Sequence, residues 1–215
     1  MSQIWYAAFS EDFVGQAQKI FKKLDRDVIV TVWDPELVPE MLRRGVSVIL
    51  GRGATALRIR KVVDLPVVEI PIPFEDMADT LIEASRYGRN IGVIGYNNLL
   101  SGLECLNPIL NVSIRQIFAV DENDTYHQIQ KLKNEGIDVI VGGLLQTHYA
   151  RELGLPAVRI ELTDKSLSYA CQEAEKLIAT VKAATRKAEE LKTILNTTNE
   201  KYVAVDIKGN ITWMN

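Results

Sequence analysis

Apolar and polar positions follow two different rhythms along this chain. Up to about residue 163, short continuous apolar runs alternate with amphipathic stretches, and from Asp164 onward a single apolar stripe takes over. The runs at 4–9, 28–33, 46–50, 67–72, 91–95, 113–120, 138–141 and 156–161 are of strand length and lack polar alternation, so they predict strands buried on both faces. Between them, amphipathic periodicity predicts helices reaching Leu24, from Pro35 to near Gly45, from the Gly51–Ala56 turn to about Val63, and over 75–87, 99–110, 124–134 and 146–153. Boundary residues agree with this reading: Ser10 and Asp34 stand at N-cap positions, Pro35 at a first helical position, and Gly136 and Gly154 at helix ends. Strands and helices alternating at this length call for parallel sheets covered on both faces. Pro71 and Pro73 stiffen the chain as it leaves the fourth strand. They mark a crossover, after which the rhythm repeats and predicts a second sheet of similar build with a cleft between the two.

The stripe runs through Leu167, Ala170, Ala174, Leu177, Val181, Ala184, Ala188, Leu191, Leu195 and Thr198 in steps of three and four without a slip. No Gly or Pro interrupts it, so 164–200 is expected to be one long helix with a seam for lengthwise packing. Its first half can serve as the last helix of the α/β body. Its second half has no following strand to cover and is expected to form an exposed rod that pairs with a second copy. Beyond Asn199, two alternating segments flank Ile207–Asn210 and predict a β-hairpin. A hairpin alone has nothing to pack on, so the chain is expected to stop inside a further domain. The expected division is therefore 1–72 and 73–163 as two α/β lobes, 164–200 as a linker helix and 201–215 as the truncated start of the next domain.

Composition narrows the setting more than the function. With 215 residues, 47% of them hydrophobic, the chain can bury a proper core. No apolar run approaches the roughly 20 residues of a membrane span, and the start lacks a basic leader, so a cytoplasmic protein with no membrane partner is expected. A net charge of −3 offers no broad basic face for nucleic acid. Cys105 and Cys171 both fall in expected helices, where they read as small buried hydrophobes rather than a disulfide or a nucleophile.

Candidate chemistry gathers at the ends of the expected strands, where open α/β sheets bind ligands. The strongest local signal is Gly51-Arg52-Gly53-Ala54-Thr55-Ala56, between a strand and a helix. Small residues there expose the N–H groups of the helix start to an anion, with Arg52 adding a charge and Thr55 a hydroxyl. The same rule nominates Ser10, Tyr96, Asn97, Asn98, Gly142 and Gly143, with Gln146 and Thr147 beside them. Each has a plainer role open to it: Ser10 as a cap, the asparagines as turn formers, the glycines as tight fits. His127 and His148 have no partner at metal-ligand spacing, and no nucleophile–base pair or paired carboxylates stand at a strand end. A two-lobed enzyme, such as an isomerase or nucleotide-using transferase, stays open as the alternative, and so does a dimerisation scaffold.

The run GRGATALRIRKVVDLPVVEIPIPFEDMADTLIEA, with IGVIGYNN, DVIVGG and GLPAVRIELTDKSLSYACQEA after it, resembles the N-terminal receptor domain of propionate-catabolism regulators. Those are NtrC-type activators working with the alternative sigma factor, sigma-54. The resemblance covers roughly residues 1–185, and YVAVDIKGNITWMN is similar to the opening strands of a PAS domain. It implies two Rossmann-like lobes, similar to those of periplasmic binding proteins, and a small anionic effector in their cleft, of which 2-methylcitrate is the best known. It implies no cofactor in these residues. ATP and Mg²⁺ would belong to an AAA+ domain, and DNA and sigma-54 polymerase contacts to further C-terminal domains.

Overall fold

The computed structural model describes residues 3–96, 102–197 and 202–214. Residues up to Ala174 form one compact unit, and within it the expected repetition is present as two four-stranded parallel sheets. The first is built from β1 (Ile4–Ala8), β2 (Ile29–Val32), β3 (Val48–Gly51) and β4 (Val67–Glu69), in the order β2-β1-β3-β4. The second is built from β5 (Asn90–Gly95), β6 (Ser113–Phe118), β7 (Val139–Gly142) and β8 (Ala157–Arg159), in the order β6-β5-β7-β8. The two orders are the same pattern, with the first strand of each lobe central and paired to the second and third. Tyr6 lies between Val30 and Leu50, and Val93 between Gln116 and Val141.

Helices cover these sheets where the apolar runs require it. In the first lobe they are α1 (Glu11–Lys23), α2 (Val38–Arg43) and α3 (Gly53–Arg60); in the second, α4 (Phe74–Ala84), α5 (Asn107–Leu110), α6 (Glu122–Asn134) and α7 (Leu144–Glu152). Trp5, Ile49, Ile59 and Met41 pack as one first-lobe core, and the buried Trp5 indole donates to Thr31 Oγ1 at 2.9 Å. In the second lobe, Ile91, Val93, Val139 and Val141 face Met77 and Leu81 of α4, while Ile94 and Ile140 face Ile129 and Leu132 of α6.

Three expectations are corrected. The single helix over 99–110 is not formed: 97–101 lie outside the described residues, and 103–110 make a 3-10 turn followed by the short α5. Gly102, at φ +81°, precedes that turn, Pro108 stands in the first turn of α5, and the left-handed Asn111 ends it. Cys105 is consequently exposed on that turn, whereas Cys171 is buried as expected. Ser10 has the extended backbone of an N-cap residue, yet its side chain makes no cap hydrogen bond; Asp34, by contrast, accepts from Glu36 N at 2.9 Å.

The long helix, α8, spans Asp164–Thr197, and the expected residues 198–200 lie outside the described ones. A reciprocal box starts it. Ser166 N donates to Thr163 Oγ1 and Thr163 N donates to Ser166 Oγ, both at 3.1 Å. Ser166, Leu167, Ala170, Cys171 and Ala174 are buried. The second unit begins within the helix at Glu175, and from there Val181, Leu191 and Ile194 are exposed. Beyond the helix, its described residues form an antiparallel hairpin of β9 (Val203–Val205) and β10 (Ile211–Met214). The Asp206 carboxylate accepts from Lys208 N, Asn210 N and Asn210 Nδ2, and these bonds hold that carboxyl below its ordinary value.

Candidate functional site

A strand order that places the third strand on the other side of the first creates a crevice at their carboxyl ends. Both lobes have this order, and residues from both crevices line one shared cleft. From the first lobe come Tyr6, Ala7 and Phe9 at the end of β1, Phe13 in α1, and Arg52 to Thr55 at the β3–α3 turn. From the second come Ile94 to Tyr96 at the end of β5 and Gly143 to Gln146 after β7. Ile72 and Ile160, one from each segment joining the lobes, line it as well, and Glu122 stands at the head of α6. The cleft has a volume of about 120 Å³, several times the roughly 30 Å³ that one water takes up in the liquid, so a small organic molecule fits.

Its charge is one-sided. Among the described lining residues Arg52 is the only cation and Glu122 the only acid, and Glu122 is paired with Arg58 of α3. Arg52 donates from Nη1 to the Glu161 carbonyl at 2.9 Å, which uses one of five guanidinium N–H donors. The Glu161 carboxylate is engaged elsewhere, by Arg159 Nε at 2.7 Å and Nη2 at 2.9 Å, and the Arg159 guanidinium lies 5.5 Å from the Phe13 ring centre. Burial pulls Arg52 below its ordinary value, with Tyr6, Glu161 and Asp76 acting the other way and Arg159 adding to the depression. Burial likewise pushes the Tyr6 hydroxyl up to about 12, with the Arg52 charge opposing. At neutral pH the first lobe therefore presents a half-buried cation beside a neutral phenol.

The second lobe presents uncharged polar groups. Tyr96 Oη and Gln146 Nε2 are buried without a hydrogen-bond partner among the described residues, and so is Ser10 Oγ. Tyr96 is 8% exposed and Gln146 3%, so both are desolvated groups at a cavity wall. Leaving such a group unpaired costs about 1–3 kcal/mol, which a suitable ligand would recover. Helix starts add to this. Gly53 and Ala54 begin α3, Leu144 and Leu145 begin α7, and the first N–H groups of a helix have no partner within it. Gly53 adopts φ +52°, a left-handed conformation that any side chain would strain.

Of the residues nominated by sequence, Arg52, Gly53, Ala54, Thr55, Tyr96 and Gly143 share this cleft, and Gln146 joins them. Ser10 sits between the lining residues Phe9 and Phe13 without lining it, and Thr147 turns inward, its hydroxyl donating to the Gly143 carbonyl at 3.0 Å. Gly142 lies behind the wall. A Cβ there would stand 2.5 Å from Gln146 Cβ and 2.8 Å from the Ile94 carbonyl oxygen, so it is a packing glycine. Asn97 and Asn98 lie outside the described residues. Sequence reasoning missed Tyr6, Phe9, Phe13, Glu122 and Ile160. Tyr6 is hidden within an apolar strand, whereas Phe9 and Phe13, four apart around Ser10, follow the strand end and were findable by the same rule that nominated Ser10. His127 and His148 are exposed, His148 beside Glu152, and no cluster of three or more His, Cys, Asp or Glu suited to a metal occurs among the described residues.

The α8 start is tied to both lobes. Gln16 Nε2 of α1 donates to the Leu162 carbonyl at 2.9 Å, and Lys23 of α1 pairs with Asp164. From α4, Asp76 Oδ2 accepts from Thr163 Oγ1 at 2.5 Å and Glu75 pairs with Lys165 at 2.9 Å. Side chains of α1 and α4 thus hold residues 162–165 from both lobes.

A family model described as "Propionate catabolism activator" matches residues 34–187. Among solved structures, an NtrC family transcriptional regulator from Clostridium acetobutylicum is similar at 25% identity over 82% of this chain and 96% of its own, with a TM-score of 0.68. A Lac repressor bound to ONPG in the repressed state is similar at 14% identity over 71% of this chain and 61% of its own, with a TM-score of 0.33.

Proposed function

The chain belongs to the propionate catabolism activator family, and from that premise we propose that it is a sensory domain whose interlobe cleft binds a small organic anion. Family membership and the NtrC-family neighbour support a sensory regulatory domain of a transcription activator. The observation that carries the ligand reading is the wall itself: a half-buried Arg52 on one lobe lines a cleft whose other lobe offers the unpartnered Tyr96 hydroxyl and Gln146 amide. An anion held by Arg52 and the helix starts, with a second polar atom on Tyr96 and Gln146, bridges the lobes. Such a ligand binds a closed arrangement better than an open one, and only that difference shifts the equilibrium. Closure would act on α8 through its ties to α1 and α4, and onward through the helix. The exposed Val181 and Leu191 lie on its regular seam, which we assign to pairing with a second copy of the chain. In the intact activator, sigma-54 polymerase, DNA, ATP and Mg²⁺ would engage domains other than this one.

A thermal-shift panel tests this reading. Small carboxylates, 2-methylcitrate among them, phosphate esters and nucleotides are added to the wild type and to Arg52→Ala. A ligand at a hundred times its dissociation constant stabilises by about 2.7 kcal/mol, a rise of roughly 5–10 °C for a chain of this size. A rise with carboxylates that disappears in Arg52→Ala is expected. A rise with nucleotides alone, or one indifferent to Arg52, contradicts the proposal.

A further inference from the structure

Resting on that reading of the cleft, the distribution of charge along its wall allows the ligand class to be narrowed. A polycarboxylate needs a partner for each charge, because burying an unpaired carboxylate is costly. Among the described lining residues the wall offers one cation. Arg159 is held bidentately by Glu161, and Arg58 is paired with Glu122, so neither is a free second clamp. The only acid among the described lining residues, Glu122, is already paired with Arg58 and offers a further carboxylate no partner. Apart from Tyr6 and Thr55, the other described lining side chains are mostly apolar. Phe9 and Phe13 stand on one side, Leu144 and Leu145 on the other, with Ile72 and Ile160 between the lobes. At the far wall, Gln146 supplies an N–H donor and Tyr96 a hydroxyl, both neutral.

We infer that the ligand is a small amphipathic monocarboxylate, with an aromatic or branched aliphatic body and one uncharged acceptor at the end opposite its carboxylate. The carboxylate pairs with Arg52 and the N–H groups of Gly53 and Ala54. The body fills the space between the Phe9–Phe13 and Leu144–Leu145 walls. The uncharged acceptor takes the Gln146 amide proton. On this account, a compact tricarboxylate leaves two carboxylates against leucine and phenylalanine side chains.

Titration calorimetry on the 215-residue chain decides it, with 4-hydroxyphenylacetate, which carries the opposite acceptor, and 3-phenylpropionate and 4-methylpentanoate, which lack it, compared against citrate and 2-methylcitrate. Expected is binding of at least one monocarboxylate about tenfold or more tighter than either tricarboxylate, a loss of about tenfold or more in Arg52→Ala, and a smaller loss in Gln146→Leu confined to monocarboxylates that carry the second acceptor. Leu144→Arg supplies a second cation and should move preference towards citrate. If citrate or 2-methylcitrate binds tightest through Arg52, the monocarboxylate inference falls while the anion-sensor reading stands. If no probe of either class binds and Arg52→Ala changes nothing, both fall.

Discussion

The two lobes share one strand order and differ in what they place at the same strand ends. Gly51 and Gly142 close equivalent strands, β3 and β7, and are each followed within two residues by a helix. In the first lobe the intervening residue is Arg52; in the second it is Gly143, a residue without charge or side chain. The first central strand, β1, carries Tyr6 under the cleft, while β5 leads into Tyr96 above it. A scaffold duplicated in topology has thus been given a charged half and a neutral half. The lesson is that fold repetition places a site, whereas the few residues at the strand ends decide its chemistry.

Exchanging these halves' contributions should have graded effects. The largest is expected for Arg52→Ala, which removes the charge from the charged half. Affinity for a carboxylate that the wild type binds should fall about 10- to 100-fold by calorimetry, while the melting temperature without ligand stays close to wild type. Next comes Tyr6, whose hydroxyl is pushed from 10.0 up to about 12. Its folded value exceeds its unfolded one, so the stability it contributes is fully present below pH 10 and is lost as pH rises through 12. Tyr6→Phe should therefore lose on the order of 2–3 kcal/mol less than wild type across that window, read by urea denaturation at successive pH values. A comparison of the equivalent glycines is third. Gly142→Ala, whose Cβ would meet the Ile94 carbonyl oxygen at 2.8 Å, should destabilise by about 2 kcal/mol, and Gly51→Ala, whose nearest contact is Ala56 Cα at 3.0 Å, by less. Equal losses would remove the steric distinction between the lobes. The smallest effect is expected for Arg58→Ala, which breaks a pair whose side chains are 49% and 43% exposed. Its loss should be within about 1 kcal/mol by the same denaturation measurement.

Much of this architecture was legible because buried parallel strands and amphipathic helices leave different periods in the sequence. The β1 run, the Gly51–Ala56 turn and the 164–200 stripe each carried a regular pattern, and each is present among the described residues, the helix as far as Thr197. The 99–110 stretch misled because Gly102 and Asn107-Pro108 sit inside a helix-like apolar spacing, and their backbone preferences outweighed it. Exposure of Cys105 followed from the same error. At the site, residues that follow a strand end, such as Arg52 and Tyr96, could be nominated from position alone. Tyr6 could not, since an apolar strand absorbs a tyrosine without any local sign that its hydroxyl edge meets a cavity. Glu122 was hidden for another reason. An acid in the first turn of a helix already has a sufficient local explanation in the helix dipole.

The central claim is that one ligand touches both halves at once, the charged wall at Arg52 and the neutral wall at Gln146. The most direct test follows the Gln146 side-chain amide by nitrogen-15 NMR, its resonances identified by their loss in Gln146→Leu, while 4-hydroxyphenylacetate is titrated into wild type and into Arg52→Ala. The account predicts that the Gln146 amide signals shift to saturation in wild type and require about 10- to 100-fold more ligand to do so in Arg52→Ala. Signals that stay fixed while the ligand binds, or that saturate at the same concentration in both proteins, would contradict it.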